Sequence, residues 1–283
     1  MEKKYEFVKG DSKEWMDRTL HRIIATEDFD DVKKGDLGGY IENESNLSRK
    51  GTCWVYDEAI VYGDAKIYDN AKVYDRAIIY NEAKVYGYAE VYGHAKVYDH
   101  AEVRDNARVY DYVHVYDNAV IWYGAKVYGH AEVHGYAEVY GNAEVYGDAR
   151  VYDDADIYCS AKVYGDAKIY DYAKIRDNAR VYDHAKVHGN AKVYGYAEVN
   201  GDAKIYDDAK LFWYGAKVYG HAEVYGNAEV YGDARVYDDA DIYCNAKVYG
   251  HAEVYGDAKI CDDAKVYGNA EVYGNVYVRG ELC

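Results

Sequence analysis

The chain of 283 residues contains no proline, only three phenylalanines and two methionines. Because proline cannot donate a backbone hydrogen bond, its absence favours a fold in which most N–H groups belong to β-ladders. No apolar run approaches the ~20 residues of a membrane-spanning helix, and the first residues lack the apolar core of a signal peptide. We therefore expect a cytoplasmic protein without a membrane partner.

The cysteine pattern, the net charge and the low threonine content disfavour several classes of function. The cysteines are odd in number and none forms a C-x-x-C pair, which argues against a disulfide framework and a zinc ribbon. They are Cys53, Cys159, Cys244, Cys261 and Cys283. The net charge of −17 argues against a nucleic-acid partner, because phosphate binding requires clustered Lys and Arg. Threonine occurs only three times, so the regular threonine files of ice-binding solenoids are missing.

Tyrosine, by contrast, occurs 39 times, within a strict six-residue repeat. Taking the aliphatic residue as position i, Val or Ile recurs from Val55 to Ile205 and is followed by Leu211. After a shift of one residue the period continues from Val218 to Val278, which gives 38 repeats. Such a period is typical of a repeat architecture. It predicts a capping module over residues 1–52 and a β-solenoid over residues 53–283, with a register slip between 211 and 218.

The columns of the repeat predict which side chains are buried. Position i−2 is Ala in all repeats but three, and it points to the same side of a strand as i, so both face the interior. Position i−1 is mostly charged and faces solvent, as does the tyrosine at i+1. Position i+2 is nearly always Gly, Asp or Asn, residues that tolerate left-handed backbone angles and therefore mark a corner. Three sides per turn predict an all-β, triangular solenoid with about 18 residues per coil.

This repeat, for example Ala65-Lys66-Ile67-Tyr68-Asp69-Asn70, resembles that of the hexapeptide-repeat, left-handed parallel β-helix proteins typified by the trimeric acyltransferases. The resemblance covers about residues 53–280 and implies a left-handed coil. The N-terminal stretch around Gly38-Gly39-Tyr40 resembles the entry module of uncharacterised tyrosine-rich, acyltransferase-like repeat proteins of bacteria and phages. A stack of coils exposes an unpaired strand edge at each end, so we interpret residues 1–52 as a cap.

Stacking with an 18-residue period sorts the tyrosines at i+1 into three external ladders. We predict that one of them forms a binding surface, whose members are Tyr56, Tyr74, Tyr92, Tyr110, Tyr128, Tyr146, Tyr164 and Tyr182. Three bulky aromatics break the pattern near a corner: Trp122, Phe212 and Trp213. The second break carries the inserted residue, as a β-bulge would. We interpret it as slippage during an internal duplication, since residues 140–159 recur with small changes at 225–244.

Neither a catalytic residue, a cofactor nor a metal site is predicted. Six histidines occupy the corner position i+3, where they alternate with Asn, Asp and Tyr, so we interpret them as polar corner residues. They are His94, His100, His130, His184, His221 and His251. The acidic pairs such as Asp153-Asp154 suit turns without a calcium ion.

We therefore expect a non-catalytic structural solenoid that assembles with itself or docks through its tyrosine-lined faces or its C-terminal edge. Residues 279–283 leave little to cap the last coil. Two alternatives stay open: an acyl-CoA-dependent acyltransferase-like enzyme, implied only by the family resemblance, and a carbohydrate-binding aromatic surface.

Overall fold

The computed structural model describes residues 3–283, which form two compact units, residues 3–141 and 142–283. The first unit begins with β1 (Tyr5–Trp15), β2 (Arg18–Ala25) and β3 (Leu37–Ile41), followed by a short 3-10 helix, η1 (Glu44–Asn46). Strands β1, β2 and β3 form an antiparallel sheet. None of the helical segments among the described residues has the length and hydropathy of a membrane span.

After this module, short parallel strands of the first unit lie on three faces. Face 1 contains β5 (Ile60–Val61), β8 (Ile78–Ile79), β11 (Lys96–Val97), β14 (His114–Val115) and β17 (Glu132–Val133). Face 2 contains β4 (Trp54–Val55), β7 (Lys72–Val73), β10 (Glu90–Val91), β13 (Arg108–Val109) and β16 (Lys126–Val127). Face 3 contains β6 (Lys66–Ile67), β9 (Lys84–Val85), β12 (Glu102–Val103), β15 (Val120–Ile121) and β18 (Glu138–Val139).

The second unit also has three faces. Its face 1 contains β20 (Arg150–Val151), β23 (Lys168–Ile169), β26 (Lys186–Val187), β29 (Lys204–Ile205), β32 (Glu223–Val224), β35 (Asp241–Ile242), β38 (Lys259–Ile260) and β41 (Tyr277–Val278). Its face 2 contains β19 (Glu144–Val145), β22 (Lys162–Val163), β25 (Arg180–Val181), β28 (Glu198–Val199), β31 (Lys217–Val218), β34 (Arg235–Val236), β37 (Glu253–Tyr255) and β40 (Glu271–Tyr273). Its face 3 contains β21 (Asp156–Ile157), β24 (Lys174–Ile175), β27 (Lys192–Val193), β30 (Lys210–Phe212), β33 (Glu229–Tyr231), β36 (Lys247–Val248), β39 (Lys265–Val266) and β42 (Glu281–Leu282).

The strand register confirms the predicted coil of about 18 residues. In the first unit Val91 pairs with Val109, and in the second Val163 pairs with Val181, each one coil further along the chain. The side chains at i−2 and i fill the interior, because Ala and Val or Ile at these positions are almost completely buried throughout residues 53–272. The fold is therefore a parallel β-solenoid. The left hand of its coil stays a prediction.

The inserted residue of the second unit lies in a corner and leaves the strand pairing intact, which differs from the predicted β-bulge. Leu211 pairs with Val230, 19 residues away, and both keep the interior position. The extra residue widens the turn Trp213-Tyr214-Gly215, in which Trp213 has a φ of +69°. An insertion is tolerated here because corners carry no ladder pairing that a residue would shift.

The capping module is joined to the solenoid by strand pairing and by packing. Strand β3 pairs in parallel with β5, and Leu47 makes a parallel bridge to Ile67. Thus segments that pair with face 1 and face 3 already occur before residue 53. The boundary of the module at residue 52 stays a prediction. Gly39 is required in β3, because a Cβ there would lie 2.5 Å from the carbonyl oxygen of Ala59.

Lys4 fills the start of the interior, although it is a charged residue. Its side chain is 2% exposed, and Nζ donates hydrogen bonds to the carbonyl oxygens of Cys53 at 2.7 Å, Gly51 at 3.2 Å and Ser48 at 3.3 Å. Burial lowers the pKa of this ammonium group. Lys4 therefore supplies donors to carbonyl groups that no preceding coil is there to satisfy.

Candidate functional surfaces

Stacked tyrosine rings follow each face of the first unit, as the sequence predicts. On face 2 the ring centroids of Tyr74, Tyr92, Tyr110 and Tyr128 lie 4.8–5.0 Å apart, with planes inclined by at most 7°. Tyr56 meets Tyr74 edge-on instead, at 5.9 Å and 88°. The spacing follows from the distance between neighbouring strands, about 4.8 Å.

The second unit repeats this arrangement on its face 2. Tyr164 lies between Tyr146 and Tyr182, with centroid distances of 4.8 Å on both sides. The ladder is then interrupted by Asn200, whose Nδ2 donates a hydrogen bond to the Tyr182 hydroxyl at 2.7 Å. It resumes between Tyr219 and Tyr237 at 4.9 Å. Parallel stacking of this kind contributes about 0.5–1.5 kcal/mol per pair beyond area burial.

The stacking limits how the ladders can bind anything. The eight tyrosines of the predicted binding surface are half-buried, and the faces of rings inside a ladder are covered by the rings above and below. Burial and the neighbouring rings raise the pKa of Tyr164 to about 12. What such a ladder presents outward is ring edges and hydroxyl groups, and its binding role stays a prediction.

The pattern-breaking aromatics belong to face 3, one group in each unit, and only Trp213 lies at a corner. In the first unit the Trp122 ring stacks on the Tyr140 ring, with centroids 4.9 Å apart. The Arg104 guanidinium lies 4.5 Å from the Trp122 ring centroid. In the second unit Phe212 stacks between Tyr194 and Tyr231, so it is a ladder residue, whereas Trp213 is 59% exposed. Of the three predicted aromatics, only Trp213 presents most of its side chain to solvent.

Sequence reasoning missed the exposed tyrosines at the corner position i+3, which it grouped with polar corner residues. These side chains are more than half exposed, and they are Tyr88, Tyr112, Tyr136, Tyr172 and Tyr196. Their exposure could have been predicted from the sequence, because a large aromatic ring at a corner of the coil cannot point into the interior. They give the solenoid exposed aromatic surface outside its ladders.

The histidines at corners each meet one carboxylate or one ring. The Nδ1 atom of His100 lies 3.4 Å from the Glu82 carboxylate, and that of His184 lies 3.4 Å from Asp166. The Nδ1 atom of His251 lies 3.8 Å from Asp233. A groove of about 570 Å³ in the second unit is lined by His184 and Asp166 together with Lys168 and Lys186. Among residues 3–283, no group of three or more His, Cys, Asp or Glu side chains is arranged to hold a metal ion.

Comparison with known proteins shows a short stretch of similarity. A stretch of 39 residues is 49% identical to the uncharacterized acetyltransferase YdcK of Escherichia coli strain K12, and it covers 14% of this chain and 12% of that protein. No family model matches the chain. The stacked coils and this short match fit the hexapeptide-repeat, acyltransferase-like β-helix superfamily.

Proposed function

We propose that the protein is a non-catalytic structural solenoid that associates with a second copy of itself. The observation that supports this proposal is the strand edge that β40, β41 and β42 form in the second unit. Within the described residues, β40, β41 and β42 hydrogen-bond on one side only, to β37, β38 and β39. Beside them the side chains of Tyr273, Val276, Tyr277 and Leu282 are 40–60% exposed. Unpaired strand edges flanked by apolar side chains favour pairing with another chain.

The start of the first unit is different, because β3 and the Lys4 ammonium group cover its first coil. The outermost strand at that start is β1, whose charged side chains disfavour edge-to-edge pairing, so open-ended head-to-tail growth is disfavoured. A contact between the β40–β42 edges of two copies uses the same surface of both chains. Such a contact leaves no further β40–β42 edge free, so the assembly stops at two chains. The expected assembly is therefore a symmetric dimer.

Light scattering of the 283-residue chain over a range of concentrations tests this. We expect a monomer–dimer equilibrium that Tyr277→Lys shifts towards the monomer, since a charge would have to be buried at the contact. The matched control is Tyr172→Lys, which alters a comparably exposed tyrosine at a corner and should leave the equilibrium unchanged. A chain that stays monomeric at all concentrations, or that grows into filaments, would contradict the proposed dimer.

A second candidate function, acyl transfer, is favoured by the groove around His184. Asp166 lies where a carboxylate could orient the imidazole as a base, and Lys168 and Lys186 could contact the phosphates of an acyl-CoA donor. Calorimetry with acetyl-CoA tests this candidate. Saturable binding that His184→Asn abolishes and His251→Asn preserves would support it, particularly in a trimer, whereas absence of binding would reject it.

A further inference from the structure

Tyr88 is an exposed tyrosine on which no aromatic ring of the neighbouring coils stacks. It lies at a corner of the first unit, between Asn70 and Asn106, which hold the same repeat position one coil before and one coil after it. Its side chain is 66% exposed, and within the described chain no aromatic ring stacks on it. Tyr112, by contrast, is sandwiched between His94 at 4.7 Å and His130 at 5.1 Å. Tyr88 can therefore offer a ring face to a ligand where Tyr112 cannot.

The ring borders a cavity of about 340 Å³, which Asn70 and Asn106 also line. This volume is within the range of small-molecule sites, about 300–1,000 Å³. The Asn70 amide is held in place, since its Oδ1 accepts hydrogen bonds from Thr52 Oγ1 at 2.9 Å and from the Thr52 N–H at 3.3 Å. Its Nδ2 is thereby kept as a donor. The cavity thus combines an aromatic side chain with one fixed amide, that of Asn70.

The charged residues of the cavity neutralise each other. Lys72 Nζ lies 2.9 Å from Asp30, and Arg108 Nε lies 3.1 Å from Glu90. A phosphate or carboxylate ligand would have to compete with these carboxylates for the two cations. Hydroxyl groups, in contrast, can donate to the carboxylates and accept from the cations without breaking either ion pair.

From this arrangement we infer that the cavity binds a neutral oligosaccharide. One sugar ring stacks its C–H face on Tyr88, while its hydroxyl groups bond to Asn70, Asn106 and the ion-paired side chains. The exposed ring, the fixed Asn70 amide and the balanced charge each favour a ligand that is apolar on one face and rich in hydroxyls at its edge. The site is independent of the self-association proposed above, because it uses none of the residues at β40–β42.

A glycan array tests the inference. It carries neutral cello-, malto- and chito-oligosaccharides together with sialylated and sulfated glycans. Calorimetry then measures the affinity for the neutral glycan that binds most strongly. We expect a neutral glycan to bind and Tyr88→Ala to weaken it about tenfold. Tyr88→Phe keeps the ring face and should keep most of the affinity. The matched control is Tyr172→Ala, at the same repeat position in the second unit, which should bind as the unchanged chain does.

Three results would overturn the inference. They are an array on which no neutral glycan binds, binding confined to the acidic glycans, and equal loss of affinity in Tyr88→Ala and Tyr172→Ala. Because Tyr88 is exposed and makes no ring contact, thermal unfolding of Tyr88→Ala should match that of the unchanged chain, which separates a lost ligand contact from a lost fold.

Discussion

The carboxylate Oδ2 of Asp75 accepts a hydrogen bond from the backbone N–H of Gly93 at 3.0 Å, and the two residues hold the same corner position in consecutive coils. The Asp75 N–H in turn donates to Asp57 Oδ2 at 3.1 Å, so carboxylates and amides alternate up the corner. The same contact joins other corner pairs, among them Asp69 and Gly87, Asp117 and Gly135, Asp171 and Gly189, and Asp177 and Gly195. Aspartate at i+2 therefore ties one coil to the next.

Replacing Asp75 with Ala should destabilise the chain by about 1–3 kcal/mol. The variant loses the acceptor for the Gly93 N–H and places Ala at a φ of +58°, where a Cβ is unfavourable. Asp75→Asn should cost less, because Asn keeps an acceptor and tolerates this backbone region. Denaturant unfolding measures both, with Asp64→Ala at the following corner position as the control. Equal stability of Asp75→Ala and Asp64→Ala would show that the corner contact contributes nothing.

Lys4→Met should destabilise the first unit by about 2–4 kcal/mol, because the carbonyl groups of Ser48, Gly51 and Cys53 lose their donor and the contact with Cys53 is buried. Lys3→Met is the matched control, since Lys3 is exposed and makes one long ion pair with Glu44 at 3.8 Å. Hydrogen exchange of β3 and β4 amides would locate the effect. Unchanged protection in Lys4→Met would mean that this lysine is dispensable to the cap.

The repeat predicted the solenoid because every position has one physical role. Val91 and Ala89 must be buried and Gly93 must turn, and the same assignments hold coil after coil, so one hexad predicts the rest. Stacking of Tyr92 on Tyr110 followed from the period alone, since residues one coil apart are neighbours across a ladder.

The capping module departs from what the columns predict. Trp54 and Ile60 occupy position i−1, which faces solvent elsewhere, yet they are buried because the module lies over them. Trp54 packs against Phe29 and Tyr5, with centroid distances of 5.4 and 6.2 Å. These contacts join residues far apart in sequence, and no periodicity specifies them. The cavity beside Tyr88 was missed for the same reason, since Asp30 of the module contributes to its wall.

Asn200→Tyr should stabilise the second unit by about 0.5–1.5 kcal/mol, since it would fill the gap in the face 2 ladder between Tyr182 and Tyr219. The hydrogen bond from Asn200 to the Tyr182 hydroxyl is lost, which limits the gain. The reverse substitution, Tyr164→Asn, should destabilise by a similar amount. A stabilised Tyr164→Asn would contradict the view that stacked rings brace the coils. Thermal unfolding compares the two variants.

His188 should make stability depend on pH. Its ring is stacked between Tyr170 and Tyr206, and burial lowers the pKa of this imidazole below its ordinary value, while Asp171 opposes the shift. The unfolded chain therefore binds the proton more readily, and stability falls as pH drops from about 6.5 through the lowered folded value. His188→Tyr completes the ladder and should lose less stability between about pH 7.5 and 5.5. His251→Tyr, at an exposed corner, is the control. If it reduced the loss of stability as much as His188→Tyr does, the pH dependence would not come from His188.

Alkaline pH should unfold the solenoid through its ladders. The pKa of Tyr164 is about 12 in the folded chain, since burial and the rings of Tyr146 and Tyr182 disfavour the phenolate, whereas an unfolded tyrosine ionises near about 10. The unfolded state thus releases its proton first, and stability is lost as pH rises from about 10 through 12. The tyrosinate absorbance that disappears in Tyr164→Phe reports this residue, and it should develop together with loss of the β-sheet circular dichroism. If that absorbance developed near pH 10 while the circular dichroism persisted, the ladder would not hold its phenols neutral.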